Sequence, residues 1–244
     1  MSYRIWYTKA MYKRILLKLS GEQLQGDFDG GFDTERAVWI TNEIKQVVDA
    51  GTQVVVMVGG GNYVRGAQLA NESIGRVTAD NAGMMSTMIN AIVLSDIFNH
   101  SGLAACALSS VEINQFLDQF THRRAISHLE EHRVVLVAGG TGRPYLTTDT
   151  AAVNIALELD CDAIFKTTKV DGVYDRDPVR YPDATKLETI SYQRAVEDGE
   201  IRVMDKAALG LAMEKKIPLV IFNLLAEGNI AKAARGEQVG TLVK

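Results

Sequence analysis

Short hydrophobic runs alternate with amphipathic stretches along most of the chain. They predict six strands, at residues 14–19, 54–58, 104–108, 134–138, 163–166 and 219–222. β-Branched residues fill most of the second run, VVVMV, as is typical of a strand buried on both faces of a parallel sheet. Between the runs, the pattern predicts a helix from an N-cap at Asp33 through Ala50 and a long helix from Ala79 to His100. This order predicts an α/β fold with a mostly parallel sheet covered by helices on both sides.

Composition narrows the class of protein without indicating a function. The chain has 244 residues, 47% of them hydrophobic, which is enough for a substantial core in one domain or two closely joined lobes. Its net charge is −4 and its basic residues are scattered, so no basic patch predicts binding to nucleic acid or to an anionic membrane. Cys106 and Cys161 lie far apart without a CxxC partner, as is typical of buried thiols in a reducing compartment. Because the chain shows no signal-peptide pattern and no apolar run of about 20 residues, we expect a cytoplasmic protein.

The segment from Ala82 to Phe98, AGMMSTMINAIVLSDIF, is apolar or small on nearly every side. One face is expected to pack on the sheet, and a second face needs another partner. That partner is either another part of this chain or a second subunit, since an obligate interface resembles a divided core. We expect a homo-oligomer.

Three glycine-rich turns follow predicted strands: KLSGE at 18–22, GGGNYVRG at 59–66 and AGGTGRPYLTTD at 138–149. Glycines in such turns allow unusual dihedral angles and let backbone N–H groups point at an anion with no Cβ in the way. A single turn of this kind is equally well explained as a tight connection between a strand and a helix. Three turns at the carboxyl ends of strands, each with Lys, Arg or Thr, favour a site that binds several phosphates.

Two further motifs point to other chemistry and match poorly. Gly59, Gly61 and Asp80 imitate part of the GxGxxG dinucleotide fingerprint, but Val64 stands where the third glycine belongs. A Walker A loop is also excluded, because GxxxxGK[ST] does not occur in the sequence. The sequence HLEEH at 128–132 matches an inverted zinc-peptidase pattern, but no third ligand follows at a helical spacing. We interpret it as the polar end of a helix before the strand in RVVLVA.

A polar segment, FKTTKVDGVYDRDP, occupies residues 165–178 at the end of the fifth predicted strand. As a purely structural feature it is a loop with an Asp-Gly turn. Its lysines suit the neutralisation of charge on a transferring phosphoryl group, and its threonines suit hydrogen bonds to a nucleotide. Tyr174 and Asp177 suit a base and its sugar. The segment is therefore a second candidate for nucleotide binding.

Five motifs, in this order and spacing, resemble the bacterial UMP kinases of the amino-acid kinase superfamily: KLSGE, GGGNYVRG, the downstream Asp80, GTGRPYLTTDTAA and KTTKVDGVYDRDP. The resemblance runs from about Tyr12 to the C-terminus, and residues 1–11 form an extension outside it. It implies a three-layer αβα sandwich in one amino-acid-kinase-like domain, with a nucleoside monophosphate side at roughly 12–150 and an ATP side at roughly 151–244. It also implies a hexamer that transfers a phosphoryl group from Mg-ATP to UMP, giving UDP and ADP.

The same resemblance assigns roles to residues at matching positions. Catalytic roles fall to Lys18, Arg65 and Asp149: Lys18 neutralises charge in the transition state, and Asp149 orients Lys18 or water around Mg²⁺, or merely caps a helix. The ATP site comprises Lys18, Leu19, Ser20, Gly21, Gly61, Arg65, Thr168, Tyr174 and Asp177. The UMP site comprises Gly60, Asp80, Thr141, Gly142, Arg143, Pro144, Tyr145, Leu146, Thr147 and Thr148. The family's region for activation by GTP matches Gly26, Asp27, Phe28, Asp29, Gly30 and Gly31, and UTP is the expected inhibitor.

Two positions depart from the pattern of the family. Arg143 stands where many relatives have asparagine, and Tyr145 stands where phenylalanine is frequent.

Mg²⁺ bound with ATP is the cofactor that the resemblance implies, and we expect no metal site formed by the protein alone.

Two other functions stay open. Kinases of the same superfamily that form acyl phosphates share the first lysine and the glycine turns. Against them, VRG followed by Asp80 suits a phosphate and a ribose hydroxyl better than a small carboxylate substrate. A non-catalytic nucleotide or oxyanion sensor would keep the fold without transfer, but the presence of Lys18 and Arg65 favours a kinase.

Overall fold

The computed structural model describes residues 12–244, and the predicted extension at 1–11 lies outside the described residues. The helices in this range are Thr34–Asp49 (α1), Gly66–Leu69 (α2), Arg76–His100 (α3), His122–Glu130 (α4), Thr148–Glu158 (α5), Tyr192–Glu197 (α6), Lys206–Lys215 (α7) and Asn229–Ala234 (α8). The strands are Arg14–Leu19 (β1), Gln53–Val58 (β2), Ala105–Ser109 (β3), Asp118–Gln119 (β4), Val134–Ala138 (β5), Ala163–Thr168 (β6), Val173–Tyr174 (β7), Lys186–Leu187 (β8), Thr189–Ile190 (β9), Leu219–Asn223 (β10) and Thr241–Val243 (β11).

Nine of these strands form one sheet, in the order β4-β3-β5-β2-β1-β6-β10-β11-β9. β10 and β11 pair antiparallel, and the other neighbours in the sheet pair parallel. The first strand of the chain therefore lies in the middle of the sheet, between β2 and β6. β7 and β8 form a separate antiparallel ribbon. The predicted mostly parallel sheet is confirmed.

Helices cover both faces of the sheet because its central strands are hydrophobic on both faces. Along β1, Ile15, Leu17 and Leu19 belong to a buried cluster with α1 and α8, whereas Leu16 belongs to a second cluster with α5 and α7. Successive side chains of a strand point to opposite faces, so each central strand contributes to two cores. Lys18 follows this alternation and lies on the face of Leu16, beside α5. The predicted three-layer αβα sandwich is confirmed.

The long predicted elements agree closely with the observed ones. β1 and β5 have the predicted bounds, and α1 begins after Asp33, whose side chain accepts a hydrogen bond from the Arg36 amide. α3 begins at Arg76 rather than Ala79 and ends at His100 as predicted. The strands that the pattern missed are the short ones, β4, β7, β8, β9 and β11. Two or three residues are too few to show a period.

Candidate active site

A cavity of about 430 Å³ lies at the carboxyl ends of β1, β2 and β5. All three glycine turns and α3 contribute to its walls. Open parallel sheets bind ligands at this edge, and a large cleft with several converging polar groups is the first candidate for a binding site. The three glycine turns that the sequence analysis singled out therefore border one cavity, and their role in binding phosphates stays a prediction.

Two lysines and one aspartate form the charged centre of this site. Lys18 and Lys166 occupy paired positions on the parallel strands β1 and β6, so their side chains leave the same face side by side. Asp149, in the first turn of α5, lies between them. Its Oδ1 is 2.9 Å from Lys18 Nζ, and its Oδ2 accepts a hydrogen bond of 2.6 Å from Lys166 Nζ. The three side chains are at most 15% exposed, which strengthens the attraction between their charges.

Burial and neighbouring charge set the ionisation of this cluster. Burial alone would raise the pKa of Asp149, but the charges of Lys18 and Lys166 outweigh it and lower that pKa below its ordinary value. Burial also lowers the pKa of Lys166, an effect that the charge of Asp149 only partly offsets. Asp149 therefore stays ionised at neutral pH and holds two amino groups beside the cavity.

The helix-capping role, which was the alternative for Asp149, is filled by Thr147. Thr147 is the N-cap of α5, and its side chain accepts a hydrogen bond of 3.0 Å from the Asp149 amide. Thr147 and Thr150 also donate hydrogen bonds to Asp205, the N-cap of α7. The start of α5 is thus fixed by other groups, and the carboxylate of Asp149 is left to the lysines.

Two of the three consecutive glycines in the second turn are required by the protein itself. A Cβ on Gly59 would lie 2.9 Å from the Gly21 amide nitrogen, and one on Gly60 would lie 2.9 Å from Gly83 O in α3. On Gly61, by contrast, the nearest atom would be a side-chain atom of Arg65 at 3.6 Å. Close approach of backbone to backbone therefore explains Gly59 and Gly60. Gly61 has room for a side chain. Because glycine has none, the cavity stays open to a ligand at this position.

Arg65 lies on the cavity wall and forms an ion pair with Glu22. Lys169 Nζ lies 3.9 Å from the other carboxylate oxygen of Glu22. Glu22 thus lies beside two cations, Arg65 of the second turn and Lys169 of the segment after β6. Since the Arg65 side chain is 47% exposed, its guanidinium can exchange this partner for an anionic ligand.

The other end of the cavity is organised by Asp80. Arg76 Nε, one helical turn earlier on α3, lies 2.8 Å from both carboxylate oxygens, and the Tyr145 amide donates to Oδ2 at 2.8 Å. Burial alone would raise the pKa of Asp80, but the bonds from Arg76 and Tyr145 lower it below its ordinary value. Tyr145 has a φ of 67°, an uncommon conformation for a residue other than glycine. Asp80 therefore also fixes the loop that carries Tyr145.

The structure brings together most of the predicted site residues. The cavity is lined by Lys18, Ser20, Gly21, Gly60, Gly61, Arg65, Asp80, Thr141, Arg143, Leu146, Thr147 and Thr148. Its lining does not include Leu19, Gly142, Pro144, Tyr145, Asp149, Thr168, Tyr174 and Asp177. Leu19 is fully buried in the core, so only its main chain is available to a ligand.

The three predicted ATP contacts at the end of β6 and beyond it make local hydrogen bonds. Thr168 Oγ1 donates to Val170 O, and Asp177 Oδ1 accepts from the Val179 amide. Tyr174 donates through its hydroxyl to Asp171, which also pairs with Lys186 across the β7–β8 ribbon. None of the three residues lines the cavity, and their binding roles stay predictions.

Three charged residues of the site were given no individual role from the sequence, although Lys166 is one of the two lysines in the segment 165–178 that suit charge neutralisation. Arg76 lies four residues before Asp80 on one helix face, a spacing that pairs opposite charges and is visible in the sequence. Lys166 follows the strand alternation of β6, but its pairing with Lys18 depends on strand order, which the sequence does not display. Glu22 is part of the motif KLSGE, and nothing in the sequence indicates its partner Arg65.

The HLEEH segment has the structure that we predicted. α4 ends at Glu130, and His132 lies beyond the helix with a φ of 58°. Among residues 12–244, no group of three or more His, Cys, Asp and Glu side chains is placed to hold a metal ion. In the same part of the chain, no helix is both long and apolar enough to cross a membrane.

The fold and the site define the class of protein. The model of the amino acid kinase family matches residues 13–223, and the chain belongs to this family. The prediction that it is a phosphotransferase of this superfamily is confirmed.

Solved structures make the relationship more specific. The UMP kinase from Bacillus anthracis is 35% identical, with a TM-score of 0.91 over 96% of each chain. The UMP kinase from Ureaplasma parvum is 31% identical, with a TM-score of 0.87 over 95% of this chain and 98% of that one. A uridylate kinase from Archaeoglobus fulgidus, 27% identical, gives a TM-score of 0.71 over 94% and 99%. The resemblance to bacterial UMP kinases that the motifs predicted is confirmed.

Proposed function

We propose that this protein is a UMP kinase of pyrimidine nucleotide biosynthesis, which transfers the γ-phosphoryl group of Mg-ATP to UMP and releases UDP and ADP. The observation that carries the proposal is the Lys18–Asp149–Lys166 cluster, which reaches through Lys18 the cavity that Arg65 and Asp80 also line. Full-length similarity to two bacterial UMP kinases, at 35% and 31% identity, supports UMP as the acceptor.

The proposed chemistry requires positioning and charge compensation. A phosphate oxygen of UMP attacks the γ-phosphorus, and the bond from that phosphorus to the β–γ bridging oxygen breaks, leaving its electron pair on ADP. The attacking oxygen is already anionic at pH 7, so a general base is not needed. Lys18 and Lys166 compensate negative charge on the equatorial oxygens during transfer. Asp149 keeps both side chains in place before the substrates arrive.

Arg65 and Asp80 are proposed to hold the acceptor. In this proposal Arg65 leaves Glu22 for the phosphate of UMP, an exchange favoured by its exposed position. Asp80, ionised and oriented by Arg76 and the Tyr145 amide, accepts hydrogen bonds from ribose hydroxyl groups. An acyl acceptor such as an amino-acid carboxylate would instead face an anionic Asp80, which disfavours the acyl-phosphate alternative.

Mg²⁺ is proposed to enter with ATP. In kinases this ion is held by substrate phosphates and waters with one or two carboxylates. Asp149 is a carboxylate at the right place, but both of its oxygens face lysines. This fits an ion that would be held chiefly by nucleotide phosphates, while Asp149 would keep the two lysines in place. When bound, the ion neutralises further phosphate charge.

The acceptor can be identified by measuring ADP release in a coupled assay with UMP, CMP, N-acetylglutamate or no acceptor. We expect release to depend on UMP, and Lys18→Ala to lower turnover at least about 100-fold while the protein stays folded. Lys215→Ala, an exposed lysine on α7, is the matched control and is expected to leave turnover unchanged. Release that does not respond to UMP, or near-normal turnover of Lys18→Ala, would contradict the proposal. Stimulation by N-acetylglutamate alone would support the acyl-phosphate alternative, and nucleotide binding without ADP release would support a sensor.

We also propose a cytoplasmic homo-oligomer, expected to be a hexamer, with GTP as activator and UTP as inhibitor. Met85, Ile89 and Ile92 form an exposed apolar stripe along α3, at 53%, 45% and 40% exposure, and this stripe supports a subunit contact. The division into a nucleoside monophosphate side and an ATP side near residue 150 is part of the same proposal.

A further inference from the structure

We propose that Asn62, Thr87 and Asn90 are positioning residues that hold two of the glycine turns, and the loop 26–31, against α3. Asn62 and Asn90 do not line the cavity, and Thr87 reaches its wall while it bonds to the third glycine turn. Their effect on catalysis passes through the backbone of the turns. Only the kinetic arm of the test below rests on the proposed function.

Asn62 and Asn90 form a reciprocal pair of buried amides. Asn90 Nδ2 donates to Asn62 Oδ1 at 2.7 Å, and Asn62 Nδ2 donates to Asn90 Oδ1 at 2.9 Å. Asn90 Nδ2 also donates to Gly59 O at 2.7 Å, and Asn62 Nδ2 also donates to Gly31 O at 2.7 Å. Asn90 is 0% exposed and Asn62 is 5% exposed. Loss of either amide would leave buried polar groups without partners.

The pair connects three separate parts of the chain. Asn90 belongs to α3, Gly59 begins the second glycine turn, and Gly31 ends the loop 26–31. The Gly31 amide also donates to Asn62 O at 3.0 Å, so this end of the loop is bonded to Asn62 in both directions. A change in the position of the loop is therefore transmitted to the turn that carries Gly60 and Gly61.

Thr87 forms a second connection, one helical turn before Asn90. It is 3% exposed, and its Oγ1 accepts a hydrogen bond of 2.7 Å from the Gly139 amide while donating to Met84 O. Gly139 belongs to the third glycine turn and has a φ of 80°. One buried face of α3 thus holds the second turn through Asn90 and the third turn through Thr87. The distance between the two turns is set by a rigid helix.

Hydrogen exchange measured by mass spectrometry tests this arrangement without any substrate. Asn90→Ala is expected to speed exchange at least about tenfold in residues 26–31 and 59–64 but not in 139–142. Thr87→Val, which keeps the side-chain shape and removes the hydroxyl, is expected to give the opposite pattern. Asn99→Ala is the control, because Asn99 is an exposed residue of α3 whose side chain bonds to Ser95 and Ala105 and to none of the glycine turns. Equal acceleration in all segments, or none, overturns the proposal.

Kinetics with UMP and ATP provide the second arm. Asn90→Ala is expected to lower kcat about 10- to 100-fold, since a displacement of about 1 Å is enough for such a loss. Asn62→Ala serves the same purpose should Asn90→Ala fail to fold. Because the two amides share their bonds, the double variant should be no worse than the more damaging single variant. Additive losses, or a kcat within threefold of the Asn99→Ala control, overturn the proposal. If the unmodified protein does not phosphorylate UMP, the proposed function fails, whereas the exchange pattern still decides the positioning role.

Discussion

Asp149 decides the charge balance of the site. Without it, the register of β1 and β6 would place two buried lysines side by side with no counter-charge. Burial and the charge of Lys18 both act to lower the pKa of Lys166, and the charge of Asp149 opposes them. Asp149 places one carboxylate oxygen toward each lysine and so offsets the repulsion between the two ammonium groups. The cluster keeps a net positive charge where phosphate is expected.

Asp149→Asn is expected to lower both stability and activity. Removing one member of a buried charge cluster typically costs roughly 3–5 kcal/mol of unfolding free energy, and loss of lysine positioning should lower turnover at least about 100-fold. Urea unfolding and the coupled ADP assay measure the two effects. Glu158→Gln, an exposed change at the other end of α5, is the matched control. An unfolding free energy within about 0.5 kcal/mol of that control would show that the lysines do not depend on Asp149.

Asp80 is expected to make the fold sensitive to acid. Its folded-state pKa is lowered, so its contribution to stability is complete above the ordinary carboxyl pKa of about 4 and is lost as the pH falls through the folded-state value. Asp80→Asn should therefore be less stable than the unmodified protein at pH 7, and the difference should shrink below about pH 4. Urea unfolding at several pH values measures this. A difference that stays constant from neutral to acidic pH would contradict the assignment.

Individual site residues were predictable where the local sequence carries them. Lys18, Arg65, Asp80 and Asp149 stand in or beside the motifs that resemble those of bacterial UMP kinases, and their roles stay predictions. Lys166 was suggested only as one of the lysines in the segment 165–178, because its pairing with Lys18 arises from the strand order that places β6 beside β1. Partners across a sheet are set by topology, and one chain read from end to end does not display it.

Among the elements, the glycine turns and α3 act together. The second turn lies so close to the first turn and to α3 that Gly59 and Gly60 contact backbone rather than ligand. α3 in turn carries Asp80 on its first turns and Asn90 farther along, so one helix contacts both the Asp80 end of the cavity and the second glycine turn.

Gly60→Ala and Gly61→Ala are expected to behave differently although they are neighbours. A Cβ on Gly60 would force α3 away and should cost roughly 1–3 kcal/mol of unfolding free energy. A Cβ on Gly61 meets only side chains, so the unfolding free energy should stay within about 0.5 kcal/mol while nucleotide binding weakens. Thermal unfolding and titration with UMP and ATP separate the two effects. Equal destabilisation by the two changes would contradict the packing that we describe.

Periodicity predicted the long elements well because burial and hydrogen bonding both follow the period of the backbone. The ribbon β7–β8 and the short strands β4, β9 and β11 are held instead by two or three pairs of residues and by side chains such as Asp171 and Thr241. Those contacts join distant segments, so no local pattern in the sequence indicates them.

For the whole molecule, the exposed stripe on α3 is the feature that the single chain leaves unexplained. Ile89→Glu places a charge in the middle of this stripe and is expected to dissociate the oligomer, with a fall in the mass measured by light scattering. Val179→Glu, which changes an apolar residue that is 85% exposed on a loop, is the matched control and should leave the mass unchanged. An unmodified protein that has the mass of a monomer at every concentration would refute the oligomer.

The central position of β1 also has a consequence for how the protein is made. Lys18 lies on β1, and Thr167 on the neighbouring strand β6, which bonds to Lys18 O, follows 149 positions later in the chain. At about 5–20 residues per second, a ribosome needs roughly seven to thirty seconds to synthesise the residues between them. During that interval β1 has no partner on its β6 side, so the unfinished sheet keeps an open edge at the strand that carries Lys18.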